Sequence, residues 1–313
     1  MNRRQFLVGA AALAIAPRSL AAPRRRRVLV TADLESHVVA VDAGTGEIVR
    51  RIATRTVPRS IESVGDSAVV CHSEIGVVSV LDAGSLTVRH VLEGFAEPRY
   101  VAAHPDGRHA YVTDAKRGDV AVVDTHTGRV LAREPVGPLA RHIAIDAGGT
   151  RLWVALVSKV RQIAILRLSG IRPRLADRFA PPFLAHDVGF APDGRHAWVS
   201  GGEGRELAVY DRRTGRVAAR PAAGSPPQHV TFSAAHAYVT SGWSGTLQVH
   251  ALDGRELRSA PVPVGSYNVQ QSDGIVVTPA LGRGYLTTAT LAGHVVREQK
   301  VARSSHDACI VRL

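Results

Sequence analysis

Two cysteines, Cys71 and Cys309, are all that the 313 residues contain. That is too few for a disulfide framework, and no Cys-x-x-Cys-His haem-attachment site can be built from them. Both fall on predicted strands and read as buried small hydrophobes, with a single bridge between them left open. There is no Gly-x-Ser-x-Gly elbow, which removes the commonest signal for a serine nucleophile. There is no His-Glu-x-x-His either, so no short metal-hydrolase motif is present. Aromatic residues make up 5% of the chain and no basic stripe is interleaved with them, which argues against nucleic acid as a partner. Helical periodicity is nowhere sustained, which leaves an all-β fold.

No apolar run is long enough to span a bilayer. The longest, Phe6 to Ala16, follows Arg3-Arg4 and precedes Ser19-Leu20-Ala21, the order of an export signal with cleavage after Ala21. Arg3-Arg4-Gln5-Phe6-Leu7 resembles the twin-arginine export signal, although Asn2 and Val8 depart from its pattern and ordinary secretory export stays open. The expected organisation is therefore an export signal over residues 1–21 and one domain over 22–313, located in the periplasm or outside the cell. The mature chain carries 36 basic against 27 acidic residues, a net charge of +9, which favours anionic partners without bearing on fold.

What the sequence has in abundance is a period. Seven times an apolar strand ends in a small or polar residue: Val30-Thr31, Val70-Cys71, Val112-Thr113, Val154-Ala155, Val199-Ser200, Val239-Thr240 and Val277-Thr278. The second members are 40, 42, 42, 45, 40 and 38 residues apart, a spacing that marks a propeller, solenoid or array. The third copy shows one unit: strand 99–104, a Pro105-Asp106-Gly107 turn, strand 109–113, a loop, strand 119–123, a turn from Asp124 to Gly128, and strand 129–133. Pro presets one turn angle and Gly tolerates positive φ, so each such cluster reverses the chain. Four antiparallel strands per unit make one propeller blade. The chain begins on a second strand, at Arg27, and ends on a first strand, His306 to Leu313. Pairing the two ends closes a seven-bladed ring with no open edge.

Tyr111-Val112-Thr113-Asp114, followed by Val120-Ala121-Val122-Val123-Asp124-Thr125 and Thr127-Gly128-Arg129-Val130, resembles the YVTN repeat of exported bacterial β-propellers, the YncE-like family. Ala237-Tyr238-Val239-Thr240-Ser241 and Ala197-Trp198-Val199-Ser200-Gly201 are further copies. The resemblance covers the mature chain and implies a seven-bladed exported propeller. Its relatives include quinoprotein-associated proteins, haem d1-type domains, lactonase-like enzymes and proteins of unknown role. The Trp-Asp signature of the intracellular WD40 class is absent, and the fourth copy, Trp153-Val154-Ala155-Leu156, is degenerate.

Two residues lead into each first strand and would rim the central channel: Arg59-Ser60, Arg99-Tyr100, Arg141-His142, His186-Asp187, Gln228-His229, Tyr267-Asn268 and His306-Asp307. Three readings of this ring stand side by side. Its polar groups are merely hydrated; or the arginines and histidines form a concave site for an anionic small molecule or an envelope-protein partner; or His142, His186, His229 and His306, with Asp187 and Asp307, hold a divalent metal. The expected function is non-catalytic binding by a monomer at Arg99, Tyr100, Arg141, His142, His186, Asp187, His229, Tyr267, Asn268, His306 and Asp307. The alternative is a metal-dependent hydrolase or lyase on the same ring.

Overall fold

The computed structural model describes residues 26–157 and 162–313. The expected export signal lies outside the described residues. The described residues form seven four-stranded antiparallel sheets. Blade 1 joins the two chain ends: Ala308–Arg312 is its inner strand, followed outward by Arg26–Ala32, His37–Asp42 and Ile48–Ala53. The inner strands of blades 2 to 7 are Ser60–Val64, Pro98–Ala103, Ala140–Ile145, Ala185–Phe190, Pro227–Phe232 and Gln270–Ser272. Each touches the next and the seventh meets Ala308–Arg312, so the ring closes. Closure rests on an antiparallel ladder running from Arg26 opposite Arg312 to Val30 opposite Ala308.

The core is distributed over the faces between blades, which explains why a middle strand such as Asp119–Asp124 is apolar from Val120 to Val123. On Asp119–Asp124, Val120 and Val122 pack toward blade 4. Ala121 and Val123 pack toward blade 2. Side chains alternate between the two faces of a strand, so a sheet covered on both sides needs apolar residues at every position. The turns follow the expected chemistry. Asp106 Oδ1 accepts the Arg108 and His109 amides while Gly107 takes φ 70°, a conformation that costs other residues a Cβ clash. His109 and His196 pair with the aspartates of these turns through Nδ1, at 2.7 and 2.6 Å. Cys71 and Cys309 are free and buried.

The small residue that marks each repeat has a structural task. Thr31, Thr113, Ser200 and Thr240 each donate a hydroxyl proton to the carbonyl of the residue leading into the next blade, Arg59, Arg141, Gln228 and Tyr267, at 2.8, 2.6, 2.9 and 2.6 Å. Where the repeat has Cys71, Ser60 supplies the hydroxyl to Arg99 instead. Where Thr278 turns away, the Asn268 amide reaches the His306 carbonyl. The degenerate copy, at Ala155, has no hydroxyl to offer. Thr113 also accepts the Tyr100 amide at 3.1 Å. Thr113→Val therefore leaves a buried donor and a buried acceptor without partners and is expected to cost about 1–3 kcal/mol. Thermal melting reads this as a fall of several degrees, and Thr113→Ser should restore most of it; an unshifted Thr113→Val melt would contradict the latch.

Candidate functional site

The inner strands carry the lead-in residues to one end of the central channel, an open cavity of about 260 Å³ lined by Ser60, Glu62, Tyr100, His142, Asp187, His229, Gln270 and Asp307. Three of the four ring histidines converge. His142, His186 and His229 each offer one ring nitrogen, all within 4.8 Å of one another. His142 Nε2 lies 2.7 Å from His229 Nε2. His186 Nδ1 donates to the Gln228 carbonyl at 3.1 Å, and His229 Nδ1 lies 3.4 Å from Asp187 Oδ2. Tyr100 packs over His142 with ring centroids 3.7 Å apart.

His306 departs from the expected set of four. Its Nδ1 donates to the Arg59 carbonyl at 3.2 Å and its Nε2 accepts from Arg59 Nη2 at 3.1 Å. Both ring nitrogens are thus used in holding Arg59. Asp187 and Asp307 also differ from free ligands. Asp187 accepts the amides of Val188 and Val230 at 2.7 and 2.9 Å, and Asp307 accepts those of Ala308 and Ile61 at 2.8 and 3.1 Å. Each carboxylate ties its own strand to the inner strand of the next blade. Asn268 is occupied by the His306 carbonyl. Tyr267 is half-buried, and its ring fills the space that a side chain at Gly242 would need.

The electrostatics follow from burial. Desolvation first, then neighbouring imidazoles and guanidiniums, hold His142 and His229 well below the ordinary imidazole range. Desolvation and then the Arg59 charge do the same for His306, and burial brings His186 down to about 3. Desolvation pushes Asp187 up to about 7 and Asp307 well above the usual carboxylate range. The mouth at neutral pH is therefore a set of neutral imidazoles around the cations Arg59, Arg99 and Arg141. Burial and then the charges of Arg141 and Arg59 lower the Arg99 pKa. Its one carboxylate partner is Glu97, at 3.0 Å. Among the described residues neither Arg59 nor Arg141 is in an ion pair, and Arg141 Nε is buried with no hydrogen-bond partner.

Glu62 is a channel residue that the sequence reading passed over. Its position matches Ala102, Ala144, Gly189, Thr231, Gln270 and Cys309 in the other inner strands, so it is the one charged residue at that level, a signal visible by aligning the repeats. Gln270 Nε2 donates to its carboxyl at 3.1 Å and the Ser63 amide at 2.8 Å, while burial pushes its pKa up to about 7.

A family profile described as outer membrane protein assembly factor BamB, PQQ_2, matches residues 12–260. The chain belongs to this family. The match stops just short of Pro261, the end of the outer strand of blade 6. No curated protein sequence matches the chain. Among solved structures, a functionally unknown protein from Desulfotomaculum acetoxidans superposes with a TM-score of 0.77 at 16% identity, over 91% of this chain and 98% of that one. Hydrazine synthase from Kuenenia stuttgartiensis gives 0.75 at 16% identity, over 85% and 92%. Dihydro-heme d1 dehydrogenase NirN, solved in complex with DHE, gives 0.64 at 16% identity, over 88% of this chain and 64% of that one. At this identity the likeness is one of fold, and the propeller hosts unrelated activities. Among the described residues no helix is long and apolar enough to cross a membrane.

Proposed function

We propose that this protein is an exported propeller that binds a small anionic ligand, a carboxylate or phosphate compound, at the channel mouth without transforming it. One observation carries this reading: the half-buried guanidiniums of Arg59, Arg99 and Arg141 stand at the lead-ins beside the channel cavity rather than in its lining, among the described residues only Arg99 of the three is in an ion pair, and Arg141 Nε is buried without a partner. A buried unpaired donor is costly in the free protein, and an oxyanion is the group that satisfies it, since guanidinium matches carboxylate and phosphate in a bidentate fork. Export is supported by the twin-arginine-like leader, and membership of the finer YVTN-repeat, YncE-like group by the repeat residues. The family's description as an assembly factor supports an envelope protein as the macromolecule that carries or receives the ligand.

Calorimetry with a panel of oxalate, citrate, phosphate and pyrophosphate tests the reading. At least one is expected to bind, and Arg141→Ala to weaken it about 10- to 100-fold, the loss of one charge-assisted hydrogen bond worth about 1.5–3 kcal/mol. Arg174→Ala, on an exposed residue paired with Glu134, should leave affinity unchanged. Failure of every anion to bind, or equal affinity in Arg141→Ala, would remove the proposal.

A further inference from the structure

We propose that His142, His186 and His229 form a three-imidazole site for one divalent transition-metal ion of the zinc class, with its fourth coordination position open toward the arginines of the channel mouth. This goes beyond the anion-binding reading and does not depend on it.

Three features of the trio point to a metal. First, the nitrogens come from three successive blades and meet within 4.8 Å although the residues are 87 positions apart at the extremes. Second, one of the three rings is held from behind by a hydrogen bond and another has a carboxyl group behind it. The Gln228 carbonyl can only accept, so His186 carries its proton on Nδ1 and presents a bare Nε2. Asp187 Oδ2 stands 3.4 Å behind His229 Nδ1, close enough to favour a proton on that nitrogen though not in hydrogen-bond geometry. A carbonyl or carboxylate behind the imidazole is the arrangement that fixes ring and tautomer in metal-binding histidines. Tyr100 fixes the plane of the third ring. Third, His142 leaves a buried Nδ1 with no partner. With Nε2 of His229 bare, the 2.7 Å contact requires His142 to donate from its own Nε2, which strips Nδ1 of its proton. A metal taking all three Nε2 atoms returns that proton to Nδ1, with no net proton release.

The size is right after a small adjustment. Metal–nitrogen bonds of about 2.0–2.1 Å at tetrahedral angles place ligand nitrogens about 3.3–3.4 Å apart, so the 2.7 Å Nε2–Nε2 contact must widen by roughly 0.6–0.7 Å and any pair near the 4.8 Å limit must draw together. Neutral imidazoles suit zinc, cobalt and nickel better than calcium or magnesium, which prefer oxygen. Three protein ligands and one open place are the pattern of an exchangeable site. Arg99 and Arg141 oppose a bare dication here, so an anion completing the coordination sphere should tighten the metal.

The test uses chelator-stripped protein and Co²⁺, titrated at neutral pH and followed by its visible absorption, with Zn²⁺ competition as the second readout. One Co²⁺ per chain with the intense absorption of four-coordination is expected, and His142→Ala, His186→Ala and His229→Ala should each weaken it about 100-fold or more. His126→Ala, on the turn side of blade 3, should leave it unchanged. Should the alanine variants fail to fold by circular dichroism, the wild type still decides: absence of a stoichiometric Co²⁺ overturns the site. So does undiminished binding in the folded variants. Repeating the titration with and without oxalate separates the two proposals. Three-histidine-dependent Co²⁺ binding with no anion binding to the metal-free protein upholds the site and removes the anion reading. Anion binding with no Co²⁺ uptake does the reverse.

Discussion

Removing residues 308–313 is expected to yield a chain without a cooperative folded state. The deletion takes away the inner strand of blade 1, including Ala308, Cys309, Ile310 and Val311, all buried. Cys309 and Val311 belong to the core between blades 1 and 2, and Ala308 and Ile310 to the core between blades 7 and 1, so both junctions beside the gap are opened. Burial of each larger side chain is worth about 1.5–3 kcal/mol. To this the lost ladder and an exposed edge on Arg26–Ala32 are added. The sum, on the order of 5–10 kcal/mol, matches the whole stability of a typical domain. Circular dichroism melting and size-exclusion chromatography check the result against deletion of the exposed Leu313 alone, which should be tolerated. A truncated chain that melts cooperatively within a few degrees of the full protein would show that the ring does not need this closure.

Glu62→Gln is expected to stabilise the protein above pH 7 and to be close to neutral at pH 4. Burial raises the folded pKa of Glu62 from 4.5 to about 7, so between these values the folded state holds a proton that the unfolded chain has released. Stability from this group is therefore present in full below about pH 4.5 and falls as pH rises toward 7. A shift of that size corresponds to about 3 kcal/mol, reduced to roughly 2 kcal/mol by the water that reaches the open channel. The buried histidines work in the opposite direction. Their depressed pKa values make stability rise with pH up to the ordinary imidazole range. For this reason the informative quantity is the difference between variant and wild type across pH, from denaturant melts at pH 4, 6 and 8. A difference that stays flat from pH 4 to 8 would mean that Glu62 is not held protonated in the folded protein.

The repeat was legible because its causes are local. Asp-Gly turns, strands apolar on both faces and a residue spacing near 42 each follow from neighbours in sequence, and the observed strand His109–Asp114 differs from the expected 109–113 by one residue. Closure by the C-terminal strand was legible too, because a count of strands left one unpaired at each end. The role of the recurring Thr, Ser or Cys was not. Whether Thr113 faces a ligand or the Arg141 carbonyl depends on the stagger between blades, which no single repeat encodes. The substitution of Ser60 for the missing hydroxyl at Cys71 shows the same junction filled from a different strand.

From the sequence alone came the all-β class, the seven blades and the set of residues carried to one rim, since backbone periodicity places every lead-in pair at the same level of the ring. Only the tertiary structure separated His306 from His142, His186 and His229, and showed Asp187 and Asp307 bound to backbone amides. Direction is the reason: a repeat sets how far each side chain stands from the axis, but where it points is decided by the hydrogen bonds of the adjoining blade, and for the lead-in histidines these differ, His186 bonding the Gln228 carbonyl and His306 both the carbonyl and the guanidinium of Arg59.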